Sequence, residues 1–127
     1  MLKIVLIGVA GMAGTLGRYW VSAAAARRYG GKFPLDTFAV NVLGCFAIGF
    51  LAHVMRERLA AGETAGAVVM VGLLGGFTTF SSYGLQAFTL AREGWVTHAA
   101  AYVVASNLLG LLMVWAGHAL ARALVPA

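Results

Sequence analysis

Polar and apolar positions divide the chain into four long apolar stretches separated by short charged or glycine-rich ones. The first stretch runs from about Leu2 to Ala24 and is interrupted by Arg18. The runs 37–55, 64–91 and 94–121 contain no Asp, Glu, Lys or Arg at all. A helix of about 20 apolar residues crosses a bilayer core, so each stretch predicts a membrane-spanning helix, at about 2–24, 37–55, 64–91 and 96–122. The separators supply turn and anchor residues: Arg27, Arg28, Gly30, Gly31, Lys32 and Pro34, then Arg56, Glu57, Arg58, Gly62 and Glu63, then Arg92, Glu93 and Gly94.

The third stretch differs from the others. Gly72, Gly75, Gly76, Thr78, Thr79, Ser81, Ser82 and Gly84 crowd its middle, which disfavours a continuous helix and predicts a break near 75–79. Non-helical backbone at membrane depth persists only when protein buries it or it lines a wet cavity. Carbonyls freed at such a break suit a cation, and the N–H groups of half-helices suit an anion.

Composition agrees with the pattern. Of 127 residues, 61% are apolar and 10% charged, and the mean hydropathy is +0.88, against roughly 45–50% apolar and 25% charged in soluble domains. Four spans use nearly the whole chain, so residues 1–127 are expected to form one all-α integral membrane domain without a soluble part. A cleaved leader is a poor reading of the N-terminus, because Arg18 interrupts the apolar run and the run exceeds a usual leader core. The net charge of +5 does not point to nucleic acid, since the basic residues are divided among the ends of four segments. Cys45 is the only cysteine, and a small apolar role is its default.

Topology arithmetic is more informative. With four spans, Lys3, Arg56, Arg58 and Arg122 share one side and Arg27, Arg28, Lys32 and Arg92 the other, leaving Arg18 within a helix. Orientation follows the Lys and Arg excess in short loops, and here the excess is zero, so copies are expected to insert both ways. An antiparallel homodimer would then supply an inverted second half. Gly8, Gly11, Gly14 and Gly17, with the Gly72-x-x-x-Gly76 pair, offer small-residue surfaces for it, although the same glycines would equally pack helices within one subunit.

Neutral polar groups accompany the break. Gly75-Gly76-Phe77-Thr78-Thr79-Phe80-Ser81-Ser82-Tyr83 combines hydroxyls and aromatic rings without a formal charge, a composition suited to an ion that must pass and not stay. Asn41 with Thr37 one turn earlier, and Tyr102 with Ser106, make polar stripes on the second and fourth helices; Asn107 lies on an adjacent face. Phe80 and Tyr83, three apart, would present positive ring edges to an anion or pack as ordinary core. Arg18, about 22 Å along its helix from Lys3, would draw anions to a vestibule or snorkel to headgroups. The spacing of His53, His98 and His118 fits no metal site.

These residues are familiar. The Gly75-to-Tyr83 stretch, Thr37-x-x-x-Asn41 and Gly14-x-x-Gly17-Arg18-Tyr19 resemble the Fluc/CrcB fluoride channel family over essentially the whole chain. The resemblance implies an antiparallel, dual-topology homodimer in the cell inner membrane, with the third helix broken mid-membrane. It also implies two fluoride pathways and a structural sodium ion (Na+) at the dimer axis, held by the backbone carbonyls of Gly75 and Thr78. It further implies a pathway of Asn41, Phe80, Ser81, Tyr83, Tyr102 and Ser106 with Arg18 at the vestibule, and passive fluoride export that protects the cell. Tyr83 departs from the family, where a second Phe is common, and Gln86 stands where Glu is common. Gly110 lacks a hydroxyl to continue the fourth-helix stripe.

Other functions fit less well. A proton-coupled transporter of similar size needs an intramembrane carboxylate, and no span holds one. Ser82-x-Gly84 is half of a nucleophile elbow, but Phe80 replaces its first glycine and no mid-membrane His accompanies it, so no enzyme is expected. A structural or assembly subunit, or a small dual-topology transporter of another substrate, remains the alternative.

Overall fold

The computed structural model describes residues 1–57 and 62–125; Arg58, part of the predicted second connection, lies outside the described residues. Among the described residues four stretches are long and apolar enough to cross a membrane: Leu2–Arg28, Leu35–Glu57, Glu63–Arg92 and Val96–Leu124. We label α1 (Leu2–Arg28), α2 (Leu35–Glu57), α3 (Glu63–Gly66), a π-helical stretch (Ala67–Leu74), α4 (Gly75–Phe77), α5 (Phe80–Arg92) and α6 (Val96–Leu124). Helix α1 runs past the expected stop at Ala24 and takes Arg27 and Arg28 into its last turn, where cations meet the negative end of the helix dipole.

Contacts at both ends tie neighbouring connections together. Lys3 at the start of α1 pairs with Glu63 at the start of α3. At the opposite end the Lys32 ammonium lies over the Trp95 ring, an attraction between a cation and the negative ring face. The chain turns between α5 and α6 at Gly94, whose φ of +87° favours glycine. There the Trp95 N–H bonds the Leu90 carbonyl at 2.8 Å.

Two glycine-lined interfaces hold the helices. A Cβ built on Gly14 of α1 would lie 2.1 Å from the Leu73 carbonyl oxygen, and one on Gly76 would lie 2.4 Å from that of Gly11. Across α2 and α6, Cβ atoms on Gly49 and Gly117 would each sit 2.1 Å from a carbonyl oxygen, of Val114 and Phe46 respectively. In lipid there is no hydrophobic drive between helices, so close backbone approach supplies the packing. Of the two uses open to these glycines, Gly11, Gly14, Gly72 and Gly76 serve the packing of α1 against the third segment of the same chain. Gly8, with nothing within 4 Å of its built Cβ, is the exception.

The interior is small. Tyr102, Val40 and Ala121 are fully buried, and Leu90, Ala99 and Tyr102 form a core cluster against Phe33, Phe38, Tyr83 and Ala87. Large apolar side chains cover the outside, among them Leu85, Phe88, Leu111 and Trp115, as expected for surface that meets lipid tails.

Candidate functional site

The third segment departs from regular α-helix on both sides of its centre. Ala67–Leu74 is π-helical, a rare geometry that tends to accompany functional sites. After α4, Thr78 and Thr79 adopt extended dihedrals, with φ and ψ of −83° and 160° and of −150° and 114°, before α5 begins at Phe80. The exposed backbone groups are not left to chance. The Asn41 amide nitrogen donates to the Thr79 carbonyl at 3.0 Å, and the Thr79 N–H donates to the Asn41 amide oxygen at 2.9 Å. One α2 side chain thereby satisfies both backbone groups of one residue, like a paired strand. Thr79 also caps α5, its hydroxyl oxygen accepting from the Ser82 N–H at 3.2 Å and donating to the Ser82 hydroxyl at 3.0 Å.

These bonds divert two donors. In an unbroken helix the Gly75 carbonyl would accept from the Thr79 N–H and the Thr78 carbonyl from the Ser82 N–H. Here the first donor serves Asn41 and the second serves the Thr79 hydroxyl. The carbonyls of Gly75 and Thr78 therefore lose their regular partners, and a hard cation takes oxygen ligands of this kind. Among the described residues no group of three or more His, Cys, Asp or Glu is placed to hold a metal ion, and carbonyl ligation requires none.

Beside the break opens a groove of about 350 Å³. Asn41, Thr78, Thr79, Tyr83, Ser106 and Asn107 give it polar atoms, Phe80 stands at it, and Cys45, Ile48, Met70 and Leu74 complete an apolar wall. Among the described residues no charged side chain lines it. Among the described residues the buried Ser106 hydroxyl has no hydrogen-bond partner. An unmet buried hydroxyl is costly, which sets this group apart from the bonded hydroxyl of Thr79. The Phe80 ring is 82% exposed and lies 5.3 Å from the Tyr83 ring.

The predicted residues are not all alike in position. Asn41, Gly75, Thr78, Phe80, Tyr83 and Ser106 meet at the groove. Ser81 is exposed, its hydroxyl 3.3 Å from that of Thr79. Tyr102 stands behind the groove, fully buried, with its ring 5.3 Å from Tyr83 and its hydroxyl donated to the Gln86 side-chain oxygen at 3.0 Å. Arg18 is half-buried on α1 and lines neither cavity; a second cavity of about 200 Å³ near the 29–36 connection is lined instead by Tyr29, Lys32, Asp36 and Gln86, among others.

Two amides not among the predicted pathway residues also belong here. Asn107 lines the groove and donates to the Tyr83 hydroxyl at 3.0 Å and to the Val103 carbonyl at 2.8 Å, giving the Tyr83 hydroxyl the partner its departure from Phe requires. Gln86 holds the Tyr102 hydroxyl. Both are amides inside uncharged runs, and an amide in lipid needs a partner; that signal was present in the sequence.

Residues 5–118 match the family described as "CrcB-like protein, Camphor Resistance (CrcB)". The chain is 42% identical over 123 residues to the "Fluoride-specific ion channel FluC" of Roseiflexus sp. (strain RS-1), covering 97% of this chain and 99% of the relative. The protein of the same name from Opitutus terrae is 45% identical over 114 residues, 88% of this chain and 86% of the relative. That from Methylobacillus flagellatus is 38% identical over 123 residues, 96% of each chain. With its four spans and nearly end-to-end match, the chain is a membrane protein of the CrcB family.

Proposed function

We propose that this protein is a fluoride-selective channel that lets the anion leave the cytoplasm down its electrochemical gradient. The supporting observation is the uncharged groove beside the helix interruption, where the unpartnered Ser106 hydroxyl and the rings of Phe80 and Tyr83 stand together. Relatives similar over nearly the full length carry the name of a fluoride-specific channel. A small anion holds its water tightly, so passage needs donors that replace hydration without trapping the ion. Ser106 offers an O–H, and the aromatic edges carry partial positive charge. Asn41 contributes its second amide hydrogen and keeps the interruption in shape. Ser81 extends the hydroxyl series at the start of α5, and Tyr102 joins if its hydroxyl leaves Gln86. A carboxylate in the groove would repel fluoride, and none lines it among the described residues.

The groove is open on one side and Phe80 projects from it, which favours completion by a second copy in the inner membrane. An equal division of Lys and Arg between the two sides supports an antiparallel homodimer, with the third segment interrupted at mid-membrane depth. The carbonyls of Gly75 and Thr78, relieved of their helical donors, fit a sodium ion, which would supply fixed positive charge that binds the two copies. Arg18 would add positive potential at a mouth of the pathway.

The test is liposome efflux. Purified protein in vesicles loaded with potassium fluoride, given valinomycin, should release fluoride rapidly while chloride-loaded vesicles hold their anion. Folded protein releasing neither, or both alike, overturns the proposal. Two lysines added to one loop should bias insertion and lower activity of the variant expressed alone; full activity from a single orientation overturns the antiparallel arrangement.

A further inference from the structure

The opposite end of the α2–α6 interface carries polar groups that anion passage does not use. His53 of α2 is 5% exposed, and its Nε2 lies 2.9 Å from the Val125 carbonyl oxygen, just beyond α6. A carbonyl only accepts, so Nε2 bears the proton and Nδ1 of the neutral ring is left with a lone pair. That Nδ1 is buried and has no hydrogen-bond partner among the described residues. The His118 ring of α6 packs edge to face with the His53 ring, with centres 5.0 Å apart and planes at 88°.

We infer that His53 and His118 form a two-imidazole site for a divalent transition ion of the zinc type. Three features carry it. An imidazole that binds a metal through one nitrogen characteristically donates the other N–H to a carbonyl or carboxylate, which fixes its tautomer and orientation; the bond to Val125 does this for His53. The nitrogen left free is desolvated and unpartnered, a costly arrangement for a polar atom that a metal would relieve. Two imidazoles on one tetrahedral ion, bonded at about 2.0–2.1 Å, bring their ring centres about 5 Å apart, a spacing that the 5.0 Å of this edge-to-face pair accommodates. The nearby Arg56 is directed outward and paired with Glu57 at 2.7 Å, so its charge is partly offset. Arg122, one turn beyond His118, is exposed. Because the described residues offer no third His, Cys, Asp or Glu, water completes the sphere. Binding is therefore modest and exchangeable, and it clamps the ends of α2 and α6 together.

The site is separate from the groove and its test does not depend on anion flux. Tag-free protein in detergent is titrated with Co2+, and the visible bands of a four-coordinate ion are followed, with Zn2+ then displacing it. One ion per chain is expected, with binding weakened at least about tenfold in His118→Gln and unchanged in His98→Gln. Zn2+ should also raise the melting temperature of the wild type but not of His118→Gln. Electron paramagnetic resonance of the Cu2+-loaded wild type, which needs no variant to fold, should show two coupled imidazole nitrogens. Absence of binding, binding unaltered in His118→Gln, loss in His98→Gln, or a spectrum without imidazole coupling each overturns the inference.

Discussion

The two halves of the third segment, before and after Thr78 and Thr79, are built on different principles. The first half meets α1 backbone to backbone: Cβ atoms on Gly72 and Gly76 would lie 2.8 Å from the Ile7 and 2.4 Å from the Gly11 carbonyl oxygen. The second half meets α6 through side chains, with Tyr83 and Tyr102 rings 5.3 Å apart and Gln86 accepting from Tyr102. Its own Gly84 has nothing within 4 Å of a built Cβ. Backbone contact leaves no space and fixes position, whereas contact through rings and amides leaves a gap that becomes a groove. Rigidity belongs to the first half and the candidate chemistry to the edge of the second.

The largest effect is expected where this difference is attacked directly. Gly14→Val places atoms on the Leu73 carbonyl oxygen and Phe77 nitrogen, backbone that cannot step aside as a side chain would. Overpacking of a core costs about 1–3 kcal/mol or more, and folded protein should vanish from detergent extracts by size-exclusion chromatography. Gly84→Val, in open space, should elute as the wild type does; equal loss in both would erase the contrast between the halves.

Next comes the joint between them. Asn41→Asp, when ionised, still accepts from the Thr79 N–H but turns an acceptor toward the Thr79 carbonyl, and leaving a buried polar group unmet costs about 1–3 kcal/mol. A negative charge at the groove also repels the anion. Fluoride efflux should fall to background and the melting temperature should drop; undiminished efflux would remove Asn41 from the pathway.

Phe80→Ile separates transport from stability. Phe80 is 82% exposed on its own chain, so the fold of the single chain should move by less than about 0.5 kcal/mol, while efflux should fall at least tenfold if the ring edge meets the ion. Unchanged efflux with an intact fold would count against that role. The smallest change is expected of Tyr83→Phe, which keeps the ring and takes the hydroxyl partner from Asn107. Asn107 retains the Val103 carbonyl, so a shift of about 1 kcal/mol or less is expected in denaturant midpoints, with efflux within about twofold of the wild type. A large loss would make the Tyr83 hydroxyl a participant.

How much the sequence discloses depends on the range of the interaction. Spans are legible because hydropathy and the absence of charge act residue by residue, without reference to neighbours. Thr78 and Thr79 lie within the stretch where glycine and hydroxyl residues predicted an interruption, since helix propensity is also local. The π-helical geometry of Ala67–Leu74 was not legible, for nothing in an apolar run names its hydrogen-bond register. Nor was the role of Asn41 as the partner of both backbone groups of Thr79, which stand 38 positions away.

The sequence by itself determined that this chain lives in a membrane, how many times it crosses, where charge is forbidden and which neutral polar side chains are available. Tertiary structure alone decided that Gly14 faces Leu73, that Tyr102 gives its hydroxyl to Gln86, and that the His53 and His118 rings meet. The physical reason is the solvent. Lipid tails repel charge strongly wherever it occurs, which writes topology into composition, but they are indifferent to which apolar helix face meets which, so pairing is settled by close backbone approach and by polar groups that must find one another.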